Sequence, residues 1–123
     1  MKTYLIIILS FLTLSCSSID INSYKDNSPK LDLETYFSGD LTAHGIIKDR
    51  SGQVIRYFNV DMQGTWNKEG IGILKEKFIF DDGSIDYRTW TFSPFEKNNQ
   101  VYYLAKANDT LTLVPISISG NDF

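Results

Sequence analysis

Turn residues recur along this chain at short intervals, and that spacing limits the fold more than any other feature. They fall at Asp49-Arg50-Ser51-Gly52, Asn67-Lys68-Glu69-Gly70, Asp81-Asp82-Gly83, Asn98-Asn99 and Asn108-Asp109, roughly ten to seventeen residues apart. The runs between them are β-branched and aromatic, and none supports a long helix. A chain punctuated this way is held to strands joined by hairpins, an all-β antiparallel meander.

Parity along each strand assigns the faces. Val54, Arg56, Phe58, Val60, Met62, Gly64 and Trp66 alternate with Ile55, Tyr57, Asn59, Asp61, Gln63 and Thr65, so the even positions form a core face and the odd ones meet water. The following strands put Gly72, Leu74, Glu76, Phe78 and Phe80, then Asp86, Arg88, Trp90 and Phe92, on the same face. With Gly83 as the left-handed residue of a three-residue hairpin loop, Glu76 lies across from Arg88, Leu74 from Trp90 and Phe78 from Asp86.

Glu76 and Arg88 are thus charges on an otherwise apolar and aromatic face, where either alone is costly, and they are expected to partner each other. As a structural pair they fix the hairpin register. As a functional pair, with Arg56 near by, they present a polar anchor for the head of an apolar ligand. A guanidinium matches a carboxylate with two parallel hydrogen bonds, which makes a fatty acid the natural candidate. Phe58, Trp66, Phe78, Phe80, Trp90 and Phe92 face the same interior, either as filled core or as the wall of a cavity. The candidate ligand-binding residues are therefore Arg56, Glu76, Arg88, Phe58, Trp66, Phe78 and Trp90.

Catalytic patterns are sparse. His44 is the single histidine, too little for a triad or a metal centre. Asp81 to Asp86 is superficially like a calcium loop but lacks the later glutamate, and Asp-Gly is ordinary turn chemistry. Gly70-Ile71-Gly72 precedes no helix and is no phosphate loop. No metal, cofactor or catalytic residue is expected, and an enzymatic role ranks last, with Glu76 as its acid or base and Arg88 lowering the Glu76 pKa.

The N-terminus carries an address. Lys2, an apolar run of about ten residues and Ser15-Cys16 match an export signal ending at a lipidated cysteine, whereas a bilayer-spanning helix needs roughly twenty residues. Cys16 is the chain's one cysteine, as a lipid-attachment site requires and a disulfide framework does not. Residues 1–15 are expected as a helical signal peptide, 16–30 as the lipidated cysteine with a flexible polar tether, and 31–123 as one domain. Asp32 is placed to cap one helical turn that lays Leu33, Tyr36 and Phe37 on the core. Loss of the signal removes Lys2 and moves the formal charge from -3 to -4, which argues against nucleic acid as a partner. Ser17 after the cysteine points to the outer membrane, facing the periplasm.

The ordered set Asp32-Leu33 to Tyr36-Phe37-x-Gly39, Leu41-x-Ala43-x-Gly45, Asp49-Arg50-x-Gly52, Phe58, Trp66, Leu74-x-Glu76-x-Phe78-x-Phe80-x-Asp82-Gly83 and Arg88-x-Trp90 resembles a bacterial lipoprotein family, domain-of-unknown-function family 3833. The resemblance runs from about Ser28 to the C-terminus and implies a lipocalin-like antiparallel barrel on an acyl anchor, with no established activity. The family pattern continues past a Gly-Asn into further aromatic strands, whereas this sequence ends at Gly120-Asn121-Asp122-Phe123. The expectation is therefore an incomplete lipocalin-like barrel, shortened at its C-terminus, with Leu111 to Ser119 as an open edge. Its expected role is to bind or carry an apolar or acyl ligand. The alternative is an envelope scaffold that docks a protein partner at the open sheet edge.

Overall fold

A computed structural model of the chain describes residues 20–121. The signal peptide expected over 1–15 and the lipidation expected at Cys16 lie outside the described residues. Six strands follow one another: β1 (Gly39–Lys48), β2 (Val54–Trp66), β3 (Gly72–Phe80), β4 (Ile85–Lys97), β5 (Gln100–Ala107) and β6 (Val114–Ile116). Each pairs antiparallel with the next, in the order β1-β2-β3-β4-β5-β6. The sheet curls into a half-barrel with β1 and β6 at its two edges. Among the described residues no helix is long and apolar enough to cross a membrane.

The β3–β4 register is the expected one, with Leu74, Glu76 and Phe78 across from Trp90, Arg88 and Asp86. Gly83 has φ +80°, and its N–H donates to the Phe80 carbonyl at 2.9 Å while the Phe80 N–H donates to Ser84 at 3.0 Å. That is the glycine-closed three-residue loop. The next hairpin is tighter: Asn98 and Asn99 have φ of 54° and 58°, the left-handed pair of a two-residue turn that asparagine tolerates well.

The core gathers at one end of the half-barrel. Leu74, Phe92 and Ala105 are buried there, with Leu41, Met62, Trp66, Trp90, Tyr103 and Ile116 packed around them. Large and small residues alternate across the strands: Trp90 pairs with Ala107 and Phe92 with Ala105, so the indole and phenyl rings have room to lie over the next strand. Gly72 does the same for its partner Trp66, whose ring occupies the place of a side chain there. Trp66 and Trp90 each stack with Phe92, at 5.9 Å and 6.4 Å between ring centroids; such pairs add about 0.5–1.5 kcal/mol beyond the area they bury.

The segment before β1 plugs this end. Asp32 caps a short helix, α1 (Leu33–Tyr36), by accepting from the Thr35 N–H at 2.7 Å. The hydrogen bonds from Thr35 hold its carboxyl below the usual range. Leu33 is 1% exposed, and Phe37 stacks on Phe92 at 6.3 Å. Trp66 Nε1 donates to the Phe37 carbonyl at 3.3 Å. Gly64 lies directly beneath that carbonyl, where a Cβ would overlap its oxygen. Tyr36, expected on the core, is 59% exposed. Phe37 takes the seat over Phe92, and Tyr36 stands in a T-shaped arrangement with the Phe37 ring at 4.9 Å.

Two further expectations change. The polar stretch 16–30 reads as a free tether, yet from Asp20 onward it carries local structure while staying mostly exposed: a 3-10 turn runs over Ile21–Tyr24 with Asp20 as its cap. The Leu31 N–H donates to the Gly120 carbonyl at 2.8 Å, and Gly120 sits against the Tyr24 backbone so closely that no side chain fits. Capping and close backbone approach hold a segment that hydrophobic periodicity does not mark. The edge expected over Leu111 to Ser119 is also shorter than its sequence suggests. Only Val114–Ile116 pairs with β5, while Leu111 is fully exposed and Ser119 is buried.

Candidate functional site

The inner face divides between the two ends of the half-barrel. Trp66 and Trp90 belong to the packed end, closed by α1 and Phe37. Phe58, Phe78, Arg56 and Arg88 stand at the other end, beside the β1–β2 and β3–β4 hairpins, and among the described residues no segment outside the sheet packs over them. Glu76 falls between. The seven candidate residues therefore do not form one site, and the two tryptophans are core.

At the open end Phe58, Phe78 and Phe80 make an aromatic floor, with centroids 5.7 Å to 6.2 Å apart. Phe58 lies over its cross-strand partner Gly45, which has no side chain to displace it. These rings line a cavity of about 500 Å³ together with Ile46, Ile47, Lys48, Asp86 and Arg88. A larger hollow, about 650 Å³, is lined by Leu41, Met62 and Glu76 together with the outward set Asp40, Thr42, Asp61, Gln63, Lys75, Lys77 and Tyr87, so Glu76 borders this hollow and not the aromatic cavity. Its mixed charges are those of a solvated face, and it lacks the aromatic wall.

Register alone does not make an ion pair of Glu76 and Arg88. Arg88 instead grips Asp109, with Nε at 3.0 Å and Nη2 at 2.8 Å from the same carboxylate oxygen. The reason lies in the next hairpin. With Lys97 across from Gln100 and Trp90 across from Ala107, the same register brings Asn108 onto Thr89 and carries Asp109 to the level of Arg88. The Asn98-Asn99 turn was the signal that could have located this partner.

Arg56 is engaged in the same way. It donates from Nη2 to Asp82 at 3.1 Å and to Ser84 Oγ at 2.9 Å, and its guanidinium lies 3.8 Å from the Phe80 ring centroid. Asp82 is held below the usual carboxylate range by its hydrogen bonds to Ser84, with Arg56 adding to them. The loop Asp81-Asp82-Gly83 thus serves the turn and Arg56.

Glu76 keeps no cation of its own: among the described residues it joins no ion pair. Burial pushes its carboxyl above the usual range, against the opposing pull of Arg88 and a hydrogen bond from Trp90. The expected lowering by Arg88 is present but loses to desolvation. His44 lies on the outer face, with Nδ1 2.6 Å from Asn59 Oδ1. Among the described residues no three His, Cys, Asp or Glu side chains are grouped to hold a metal ion.

Comparison with curated proteins and with solved structures gives no match. A family model described as a protein of unknown function, DUF3833, matches residues 10–123. With nearly the whole sequence covered and the half-barrel carrying the motif strands Leu74 to Phe80 and Arg88 to Trp90 in register, this chain belongs to the DUF3833 family.

Proposed function

We propose that this protein is a non-enzymatic, membrane-anchored binding domain that holds an apolar or acyl ligand in the open end of its half-barrel, with Arg56 and Arg88 at the polar boundary. The observation that carries this reading is the cavity of about 500 Å³ over Phe58, Phe78 and Phe80. Small-molecule sites typically offer about 300–1,000 Å³ of mainly apolar space with a few polar groups. The opposite end of the same sheet spends its aromatic residues on packing, so the rings left uncovered are available to a ligand. Lipid attachment at Cys16 would hold the domain at a membrane surface, near a supply of acyl chains.

Native mass spectrometry of the purified chain tests the proposal. The expected result is a co-purified amphiphile, displaced by a fluorescent acyl probe and lost from a folded Phe78→Asp variant. A chain that is empty as isolated and leaves the probe unbound overturns the reading. The anchor has its own test, since Cys16→Ala should release the protein from membranes and abolish palmitate labelling.

A scaffold role is the second reading, supported by β1, whose ten residues pair only with β2 among the described residues. An exposed edge of that length can accept a strand from another chain. Crosslinking in intact cells should then trap one dominant partner through β1.

A further inference from the structure

Asp20 lies four positions after Cys16 in the chain, and the fold sets the turn that Asp20 caps beside the β4–β5 hairpin. We propose that the tip of this hairpin is a second membrane contact, so that the domain stands on the lipid surface with its aromatic cavity held away from it. This rests on the lipid anchor proposed at Cys16 and is independent of what the cavity binds.

The placement follows from the last strand pair. β6 runs back along β5, with Ile116 across from Tyr103. Continuing in that direction, Ser117 to Gly120 line a hollow together with Gln100, Val101 and Tyr102, and Ile21 and Lys25 border the same hollow. The Tyr24 backbone lies against Gly120, and the Leu31 N–H donates to the Gly120 carbonyl at 2.8 Å. The turn over Ile21–Tyr24 is therefore fixed at the hairpin end. Four residues of chain reach at most about 14 Å, so an acyl chain on Cys16 enters the membrane within that distance of Asp20. The cavity is at the other end. Arg88, in its wall, lies nine positions back along β4 from Lys97, about 30 Å at the rise of a strand.

The surface of the tip suits a lipid interface. Val101, in the last pairs before the turn, is 62% exposed. Phe95 and Tyr102 form a cross-strand pair with stacked rings 5.5 Å apart, both half-buried. The Tyr102 hydroxyl donates to Gln100 Oε1 at 2.9 Å, which gives the ring an apolar body and a polar end, the character that places tyrosine at membrane boundaries. Asn98, Asn99 and Gln100 are exposed between these residues and offer amide groups to lipid heads. Among the described residues near the tip, Lys25, Lys30 and Lys97 are matched in number by Asp20, Asp26 and Glu96. The contact therefore draws on apolar and aromatic burial more than on attraction to anionic lipid.

The test uses the protein isolated from membranes and reconstituted on phosphatidylcholine vesicles. With Cys16 acylated, an introduced cysteine is the one free thiol. A polarity-sensitive dye is attached at Lys97→Cys, beside the hairpin tip, or at Arg50→Cys, in the β1–β2 loop of the open end; each replaces an exposed cation. Dye at position 97 is expected to shift its emission to shorter wavelength on vesicles and to be quenched by spin-labelled lipid, whereas dye at position 50 should do neither. Val101→Asp should abolish the shift at position 97 while the protein still floats with the vesicles and its tryptophan emission is unchanged. A shift at position 50, equal signals at the two positions, or a shift that survives Val101→Asp overturns the inference and leaves the anchor in place. A mass without acyl chains together with failure to float overturns the anchor reading, and the inference with it.

Discussion

The two ends of this half-barrel are built from the same kind of residue and differ in what covers them. At the packed end, Trp66, Trp90 and Phe92 pack with Phe37 from the segment before β1, and the small residues Gly64, Gly72, Ala105 and Ala107 let rings and backbone meet. At the open end Phe58, Phe78 and Phe80 form a comparable aromatic cluster, but they border a cavity and lie against Arg56 and Arg88. Ring stacking alone therefore does not define a core. A third layer does, and among the described residues the segment before β1 supplies it to the packed end.

The largest test of this contrast is a pair of truncations. Phe92→Ala removes a buried ring with aromatic neighbours on both sides, and urea unfolding should show a loss of about 3–5 kcal/mol. Phe78→Ala removes a half-buried ring and should cost about 1 kcal/mol, the share of its burial that the fold achieves. Equal losses would break the comparison.

A second pair probes the glycines. Gly64→Ala drives a methyl group into the Phe37 carbonyl, a backbone atom that cannot swing aside. The expected cost is about 1–3 kcal/mol, with a change in Trp66 fluorescence as the plug lifts. Gly45→Ala meets first the Phe58 ring, a side chain bordering the cavity and not backbone, so its effect on stability should be smaller. It should instead weaken binding of the acyl probe.

Removal of the α1 cap comes next in size. Asp32→Ala should destabilise the protein by about 1 kcal/mol. The hydrogen bonds from Thr35 lower the Asp32 pKa in the folded state. Its contribution is thus present above the ordinary carboxylate pKa and fades as pH falls through the folded value. Thermal melts of the parent and variant should converge in acid and separate toward neutrality.

The smallest effect sharpens the boundary between the ends. Asp109→Ala breaks an exposed ion pair and should change stability by no more than about 1 kcal/mol. It also frees Arg88 and removes a charge that holds the Glu76 pKa up. NMR titration should find the Glu76 carboxyl titrating at lower pH in this variant. Glu76 itself carries the opposite sign to Asp32. Because its folded pKa is raised, its favourable contribution is complete below its ordinary pKa and is lost as pH rises through the folded value. Glu76→Gln should therefore gain stability relative to the parent at neutral pH and lose that advantage in acid.

Much of the architecture was legible in the residues. Alternation along Val54 to Trp66 marked the inner face, and Asp81-Asp82-Gly83 located the register that sets Glu76 across from Arg88. The candidate site was legible only in part. Opposite position on a sheet brings two backbones together, whereas the partner of a long arginine is decided by every carboxylate within its reach, and Asp109 arrives from a second hairpin. Trp66 and Trp90 share the inward parity of Phe58 and Phe78, and parity carries no information about which end a plug will close.

By itself, then, the order of residues determined the strands, their inward faces, the β3–β4 register and the family, because turn chemistry and period-two alternation act over a few neighbouring residues. Only the tertiary structure decided which aromatic residues are core, that Arg88 takes Asp109 in preference to Glu76, and that Glu76 joins no ion pair among the described residues. Those outcomes depend on desolvation and on contacts between segments far apart in the chain: Phe37 on Phe92, Leu31 on Gly120, Asp109 on Arg88. Burial is a property of what finally lies on top, and no local pattern records it.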